Sequence, residues 1–325
     1  MPELPKFHDL PGCGTIPCGC AWGVWDRDGV RDELGTLNLL TPDIIANAAK
    51  QVKHGISISL NWSLEKPAKP VFQRAKLRHQ IIDNSTKGSP GSFDDNVTFN
   101  TQSSSQWDGL RHVVNRDVGL FYNGFNPAEL GGHDPKFLSI SNWHTKGGII
   151  GRGVLIDYVA YTERHNIQYS AIESHGITHL ELEEAAREQG VEFCKGDILV
   201  VRSGLIKWYE QCSDHTTRDT FFEDPFKASV GVLPSEEVIA WAWDHHFAAV
   251  AGDALAFERI PYPQDSPSFH QYSISMWGSP IGELWDLEKL AQTCKSLGTY
   301  SFMLVSVPLN IPGGVASPPN AVAIF

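Results

Sequence analysis

Residues Gly55 to Leu64 alternate apolar and polar side chains through Ile56-Ser57-Ile58-Ser59-Leu60, the period of two that marks a strand with one buried face. Apolar runs from Gly148 to Asp157, Asp197 to Ser203, Ala248 to Gly252 and Tyr300 to Val307 predict four further strands. Helices are marked by their starts. Thr178-His179-Leu180-Glu181 reads as a capping box for a helix that stops at Gly190, and Pro234-Ser235-Glu236-Glu237 opens another. Two more are predicted from Thr41 to Lys53 and from Asp286 to Gly298. Strands and helices interspersed in this way predict an α/β fold. The polar stretch from Lys66 to Asn96, with Gly88, Pro90 and Gly91, predicts a long surface loop placed to act as a lid.

A chain of 325 residues, 42% hydrophobic and 20% charged, can bury a full core. No Pro/Ser-rich or charge-run linker divides it, so one domain over residues 1–325 is expected. A formal net charge of −12 with scattered Lys and Arg argues against nucleic acid and anionic lipid as partners and leaves a small-molecule substrate. The start, Met1-Pro2-Glu3-Leu4-Pro5, has no basic or apolar leader pattern, and no segment reaches the roughly 18–20 apolar residues of a membrane span. A cytoplasmic protein is expected. Six cysteines are too sparse for a disulfide scaffold, and Cys13, Cys18 and Cys20 lack paired metal-ligand spacing, so an ordered loop is expected there.

The densest polar cluster is Thr101-Gln102-Ser103-Ser104-Ser105-Gln106-Trp107-Asp108-Gly109-Leu110-Arg111-His112. If it is extended, Gln102, Gln106 and Asp108 share one face and Trp107 takes the other. His112 follows a turn at Gly109, and an imidazole within reach of a carboxylate is suited to general acid–base work; a Ser/Gln-rich loop with a surface histidine is the plain alternative. Glu283, flanked by Ile281, Leu284 and Trp285, needs a cation or donor if buried, or else caps the helix expected directly after it. His175 and His179, four apart, would form a metal-ligand face if they shared one helical turn, but His175 precedes the capping box and His179 falls in its first turn, so separate placement is the expectation. His245-His246 ends an apolar helix. Gly148-Ile149-Ile150-Gly151-Arg152-Gly153 lacks a nucleotide fingerprint, and no G-x-S-x-G elbow is present.

Several of these pieces, in order along most of the chain, resemble the cyclase family that includes bacterial kynurenine formamidase and isatin hydrolase. They are Asp32-Glu33-Leu34-Gly35-Thr36-Leu37-Asn38-Leu39-Leu40-Thr41-Pro42, Gln106-Trp107-Asp108-Gly109-Leu110-Arg111-His112, Tyr122-Asn123-Gly124, Gly151-Arg152-Gly153-Val154-Leu155-Ile156-Asp157, Gly196-Asp197-Ile198-Leu199-Val200-Val201-Arg202-Ser203-Gly204 and Pro280-Ile281-Gly282-Glu283-Leu284. The resemblance implies a swivelling β/β/α fold with a mixed barrel-like sheet surrounded by helices, and a homodimer or homotetramer. It implies a divalent metal, zinc or manganese, with Asp108, His270 and Glu283 as ligands and His112 in catalysis. Gln102 and Gln106 stand where the family's signature has two metal-binding histidines, and a neutral carboxamide is a far poorer ligand.

Two functions follow. One is a metal-dependent hydrolase of an amide, cyclic amide or lactone, with His112 as acid/base. The other is a metal-free cyclase, dehydratase or isomerase of secondary metabolism that uses His112 and Glu283. Gln102, Gln106, Trp107, Tyr122 and His175 are the expected substrate contacts.

Overall fold

The computed structural model describes residues 3–85, 91–129, 137–224, 228–262 and 267–325. Its strands, in chain order, are β1 (Ser57–Ser59), β2 (Arg78–Asp83), β3 (Phe93–Thr98), β4 (Gln106–Asp108), β5 (Ile149–Asp157), β6 (Gly176–Ile177), β7 (Ile198–Arg202), β8 (Gly231–Val232), β9 (Ala249–Gly252), β10 (Ile281–Glu283), β11 (Ser301–Ser306), β12 (Ala316–Ser317) and β13 (Ala321–Ile324). The helices are α1 (Pro42–Ala49), α2 (Ile140–Thr145), α3 (Tyr158–His165), α4 (His179–Glu188), α5 (Leu205–Gln211), α6 (His215–Glu223), α7 (Glu236–Asp244) and α8 (Glu288–Leu297).

Among the described residues, nine strands form one sheet in the order β1-β13-β11-β5-β7-β9-β10-β4-β12. Its centre is parallel, β5 to β7 to β9 to β10, and antiparallel strands flank it on both sides. The expected mixed sheet with surrounding helices is therefore present. β7, Ile198-Leu199-Val200-Val201-Arg202, is buried throughout, as a central parallel strand covered on both faces must be.

The expected caps form. Thr178 Oγ1 accepts from Glu181 N at 3.2 Å, while Glu181 Oε2 accepts from Thr178 N at 2.9 Å. Ser235 Oγ accepts from Val238 N at 3.4 Å at the start of α7. Where β5, β7 and β9 end, polar groups tie them together. Arg202 reaches Asp157 and Glu288, each at 2.8 Å. Asp253 accepts from Ser203 N at 2.5 Å, Ser203 Oγ at 2.7 Å and Gly204 N at 2.7 Å, and burial still lifts its pKa to about 6.

The structure corrects two expectations. The stretch from Lys66 to Asn96 is not one long loop: β2 pairs antiparallel with β3, although the Gly88 and Pro90 positions lie outside the described residues. Every residue of β3 is exposed and no position of β2 is buried, so the period-two burial signal that identifies core strands is missing here. Glu283, moreover, is not a helix cap. It ends β10, and α8 begins only at Glu288, whose N donates to Asp286 Oδ1 at 3.2 Å. No helix among the described residues is long and apolar enough to cross a membrane.

Candidate active site

β4 lies between β10 and β12, with Asp108 opposite Ile281 and Gln106 opposite Glu283. Residues directly opposite in an antiparallel pair project from the same face, so Gln106, Asp108 and Glu283 share one. Trp107 projects from the other, edge-on to Trp285 at 4.8 Å between ring centroids, with its indole N–H donating to Ser306 Oγ at 2.8 Å. The expected even–odd division thus holds inside the strand. Gln102 reaches the same face through a turn rather than an extended run, its N donating to Asn100 Oδ1 at 2.9 Å.

A second turn returns His112 to Asp108. Gly109 N donates to Val315 O at 3.0 Å and His112 N to Gly109 O at 2.9 Å. A Cβ at position 109 would stand 2.5 Å from the Val315 carbonyl oxygen, so glycine alone permits the close approach.

Asp108 is completely buried. Gln102 Nε2 donates to its Oδ1 at 2.7 Å and lies 3.1 Å from His112 Nδ1. Its Oδ2 sits 3.5 Å from His112 Nε2 and 3.9 Å from His270 Nε2 and has no hydrogen-bond partner among the described residues. Burial raises the Asp108 pKa, His112 opposes the rise and Glu283 adds to it. Gln106 Nε2 donates to Glu283 Oε2 at 2.5 Å, and Glu283 Oε1 lies 2.9 Å from His270 Nε2. Both glutamines turn their amide nitrogens to the carboxylates. A carboxamide nitrogen donates hydrogen bonds and does not ligate a metal, so these side chains supply donors where the resemblance predicts histidine ligands.

His270 is held from behind by Glu258, an acid that sequence reasoning did not single out. Glu258 is fully buried and accepts from His270 Nδ1 at 2.7 Å, His270 N at 3.1 Å, Ser268 Oγ at 3.3 Å and Phe269 N. Its signal in the sequence is the one that marked Glu283: an acid inside an apolar run, Ala254-Leu255-Ala256-Phe257-Glu258-Arg259-Ile260. Burial pulls the His270 imidazolium pKa down, but the bonds to Glu258 and Glu283 outweigh it and hold that pKa well above its ordinary value.

A carboxylate behind one ring nitrogen, with the other nitrogen aimed at the site, is the arrangement that orients metal-ligating imidazoles. Asp108, His270 and Glu283 each offer one ligand atom, all within 4.8 Å of one another. One nitrogen and two carboxylate oxygens suit zinc, manganese or magnesium, and the unpartnered Oδ2 of Asp108 is an atom such an ion would satisfy. The residues therefore fit a single divalent cation. Glu258→Gln is expected to weaken metal affinity or turnover by roughly 10- to 100-fold, as losses behind a ligand do, and also to lower the melting temperature, because an amide cannot accept all four of these hydrogen bonds; metal titration well below the melting transition checks it.

A cavity of about 160 Å³ opens on these groups. His112, His270 and Glu283 line it, together with apolar Val113, Leu255, Ala256 and Ile260. None of the five expected substrate contacts is among these lining residues: Gln102 and Gln106 are bonded to Asp108 and Glu283, and the other three are satisfied elsewhere. Trp107 packs behind β4, as described. Tyr122, completely buried, donates its hydroxyl to Asp32 Oδ2 at 3.1 Å. His175 Nε2 pairs with the Tyr158 hydroxyl at 2.7 Å, and its ring stacks on Tyr169 at 4.8 Å. Of the nearby cysteines, Cys13 and Cys20 are buried, whereas Cys18 turns outward to His8 Nδ1 at 3.9 Å. His8, Cys18 and Glu236 come within 4.8 Å of one another on the surface.

A family model described as "Putative cyclase" matches residues 41–259, which takes in Gln102 to His112 and Glu258 but stops short of His270 and Glu283. A crystal structure described as a novel cyclase is 32% identical, with a TM-score of 0.80 over 94% of this chain and 99% of that one. Isatin hydrolase A from Ralstonia solanacearum has a TM-score of 0.59 at 14% identity, over 92% of this chain and 100% of that one. Isatin hydrolase A from Labrenzia aggregata has a TM-score of 0.54 at 15% identity, over 89% and 98%. At these lower identities the likeness is one of fold. No curated protein sequence matches the chain significantly.

Proposed function

The chain belongs to the cyclase family, and from that premise we propose that it is a hydrolase that opens an amide, cyclic amide or lactone with water as the nucleophile. The observation that carries this reading is the convergence of Asp108, His270 and Glu283 beside His112. These three would hold one zinc or manganese ion, which when bound lowers the pKa of water and polarises a carbonyl. The isatin hydrolases among the fold neighbours agree with a hydrolytic reaction.

The chain's own groups supply the rest. His112 lines the cavity with 25% of its side chain exposed, so it can meet a substrate directly. It takes a proton from the attacking water and returns it to the leaving nitrogen or oxygen. Asp108 Oδ2, 3.5 Å from His112 Nε2, stabilises the imidazolium formed between those transfers. Gln102 bridges Asp108 and His112 and fixes their relative position. Glu258 fixes which nitrogen of His270 faces the other carboxylates.

The glutamines also favour a second reading. Their amide nitrogens already engage one oxygen of Asp108 and one of Glu283, as would suit a metal-free cyclase, dehydratase or isomerase with His112 and Glu283 as its acid/base pair. Elemental analysis of the purified protein, followed by turnover of an amide and lactone panel before and after chelation, separates the two. About one equivalent of zinc or manganese, with turnover lost on chelation and restored by the ion, is expected. Undiminished turnover after exhaustive chelation would sink the metal-assisted reading and leave the second.

A further inference from the structure

The cavity over the site carries two cations that the reaction does not use. Arg74 and Arg116 both line it, beside His112 and Glu283. Arg31, Arg152, Arg164, Arg187 and Arg202 each pair with a carboxylate. Arg116 does not: among the described residues it makes no hydrogen bond or ion pair, and it is exposed. Arg74 is half-buried and fixed, with Nη1 donating to Gln102 O at 2.7 Å and its guanidinium 5.0 Å from the Phe72 ring centroid, yet it too has no ion pair among the described residues.

A guanidinium held at a cavity without a carboxylate partner is a ready site for a planar anion, which it can bind through two parallel hydrogen bonds. Val113, Leu255, Ala256 and Ile260, with the rings of Phe72 and Tyr262, suit an apolar body, and Ser268 adds one hydroxyl to the lining. The cavity volume of about 160 Å³ leaves room for a single benzene ring.

We infer that the substrate carries a carboxylate on a small, ring-sized apolar body, bound at the cavity by Arg116 with Arg74 beside it. The identity of the bond that is cleaved rests on the hydrolase reading above; the anion site does not. Under that reading the substrate is a small carboxylated amide, cyclic amide or lactone.

The test uses benzoate and its neutral isostere benzamide as probes, titrated calorimetrically into the wild-type protein, Arg116→Ala and Asp108→Ala. Benzoate is expected to bind the wild type roughly tenfold or more tightly than benzamide, and to lose that advantage in Arg116→Ala and at high ionic strength. Benzamide affinity should not change. Because Arg116 is exposed and unpaired, its replacement does not threaten the fold. Equal affinity for the two probes, binding of neither at millimolar concentration, or benzoate binding untouched in Arg116→Ala would each overturn the proposal. Benzoate binding that survives Arg116→Ala but is lost in Asp108→Ala or on chelation would place the carboxylate at the metal ligands, overturning the anion site while supporting the metal. Arg116-dependent benzoate binding in a protein that hydrolyses no amide or lactone would keep the anion site and end the hydrolase reading.

Discussion

Under the hydrolase proposal, replacing Asp108 by alanine is expected to abolish binding of a divalent ion and to lower kcat/KM by roughly three orders of magnitude or more. The reason is that one carboxylate serves three neighbours. Its Oδ1 accepts from Gln102, and its Oδ2 faces both His112 and His270 without any other partner. Alanine removes the proposed metal ligand, the group facing His112 and the acceptor for Gln102 in a single change. Asp108→Asn keeps the volume but not the charge and is expected to lose nearly as much, which separates the chemistry from packing. Neither variant is expected to unfold the protein, because burial already disfavours the Asp108 carboxylate. Metal content, turnover and melting temperature, measured together on both variants, decide the matter. Normal metal content in Asp108→Ala would remove Asp108 from the ligand set.

His112→Ala is expected to behave differently: kcat falls by roughly 10²- to 10⁴-fold, the range for loss of a general acid–base group, while metal content is unchanged. The contrast follows from placement. His112 contacts Gln102 and Asp108 and lines the cavity, but it does not belong to the Asp108, His270 and Glu283 ligand group. Imidazole added to the His112→Ala protein should recover part of the rate if the missing function is proton transfer. Full turnover in the variant would end the assignment; loss of metal would move His112 into the ligand set.

Much of the sheet was legible in the residues. The cores of β5, β7 and β9 are buried apolar runs, as a strand covered on both faces needs, and β11 alternates buried with half-buried positions, the period of a strand with one face in the core. The capping box of α4 was legible because its two reciprocal bonds are made by residues three apart. The short strands β4, β10 and β12 were not, since each has only two or three residues and its pairing is set by neighbours remote in sequence. The β2–β3 hairpin escaped because its exposed faces leave no burial period to read.

Within the site, Asp108, His270 and Glu283 are brought together as expected, and the even–odd argument correctly grouped Gln106 with Asp108. Glu258 was missed because its role is to support His270, and such roles have no spacing rule. Trp107, Tyr122 and His175 lie outside the cavity lining, which the sequence does not foretell for a common reason: an aromatic or imidazole side chain with a polar tip looks alike whether it faces a cavity or an internal partner. Trp107 found Ser306, Tyr122 found Asp32 and His175 found Tyr158.

The pairing of β4 with β10 limits how this site can evolve. Side chains alternate along a strand, so a single residue gained or lost between Pro280 and Glu283 would carry Glu283 to the Trp107 side of the sheet. Substitution carries no such penalty, because the polar face shared by Gln106, Asp108 and Glu283 keeps its backbone whatever each position bears. A lineage can therefore exchange histidine for glutamine at that face, passing from ligands to hydrogen-bond donors, without refolding the sheet. Its chemistry is free to drift by replacement and closed to drift by length.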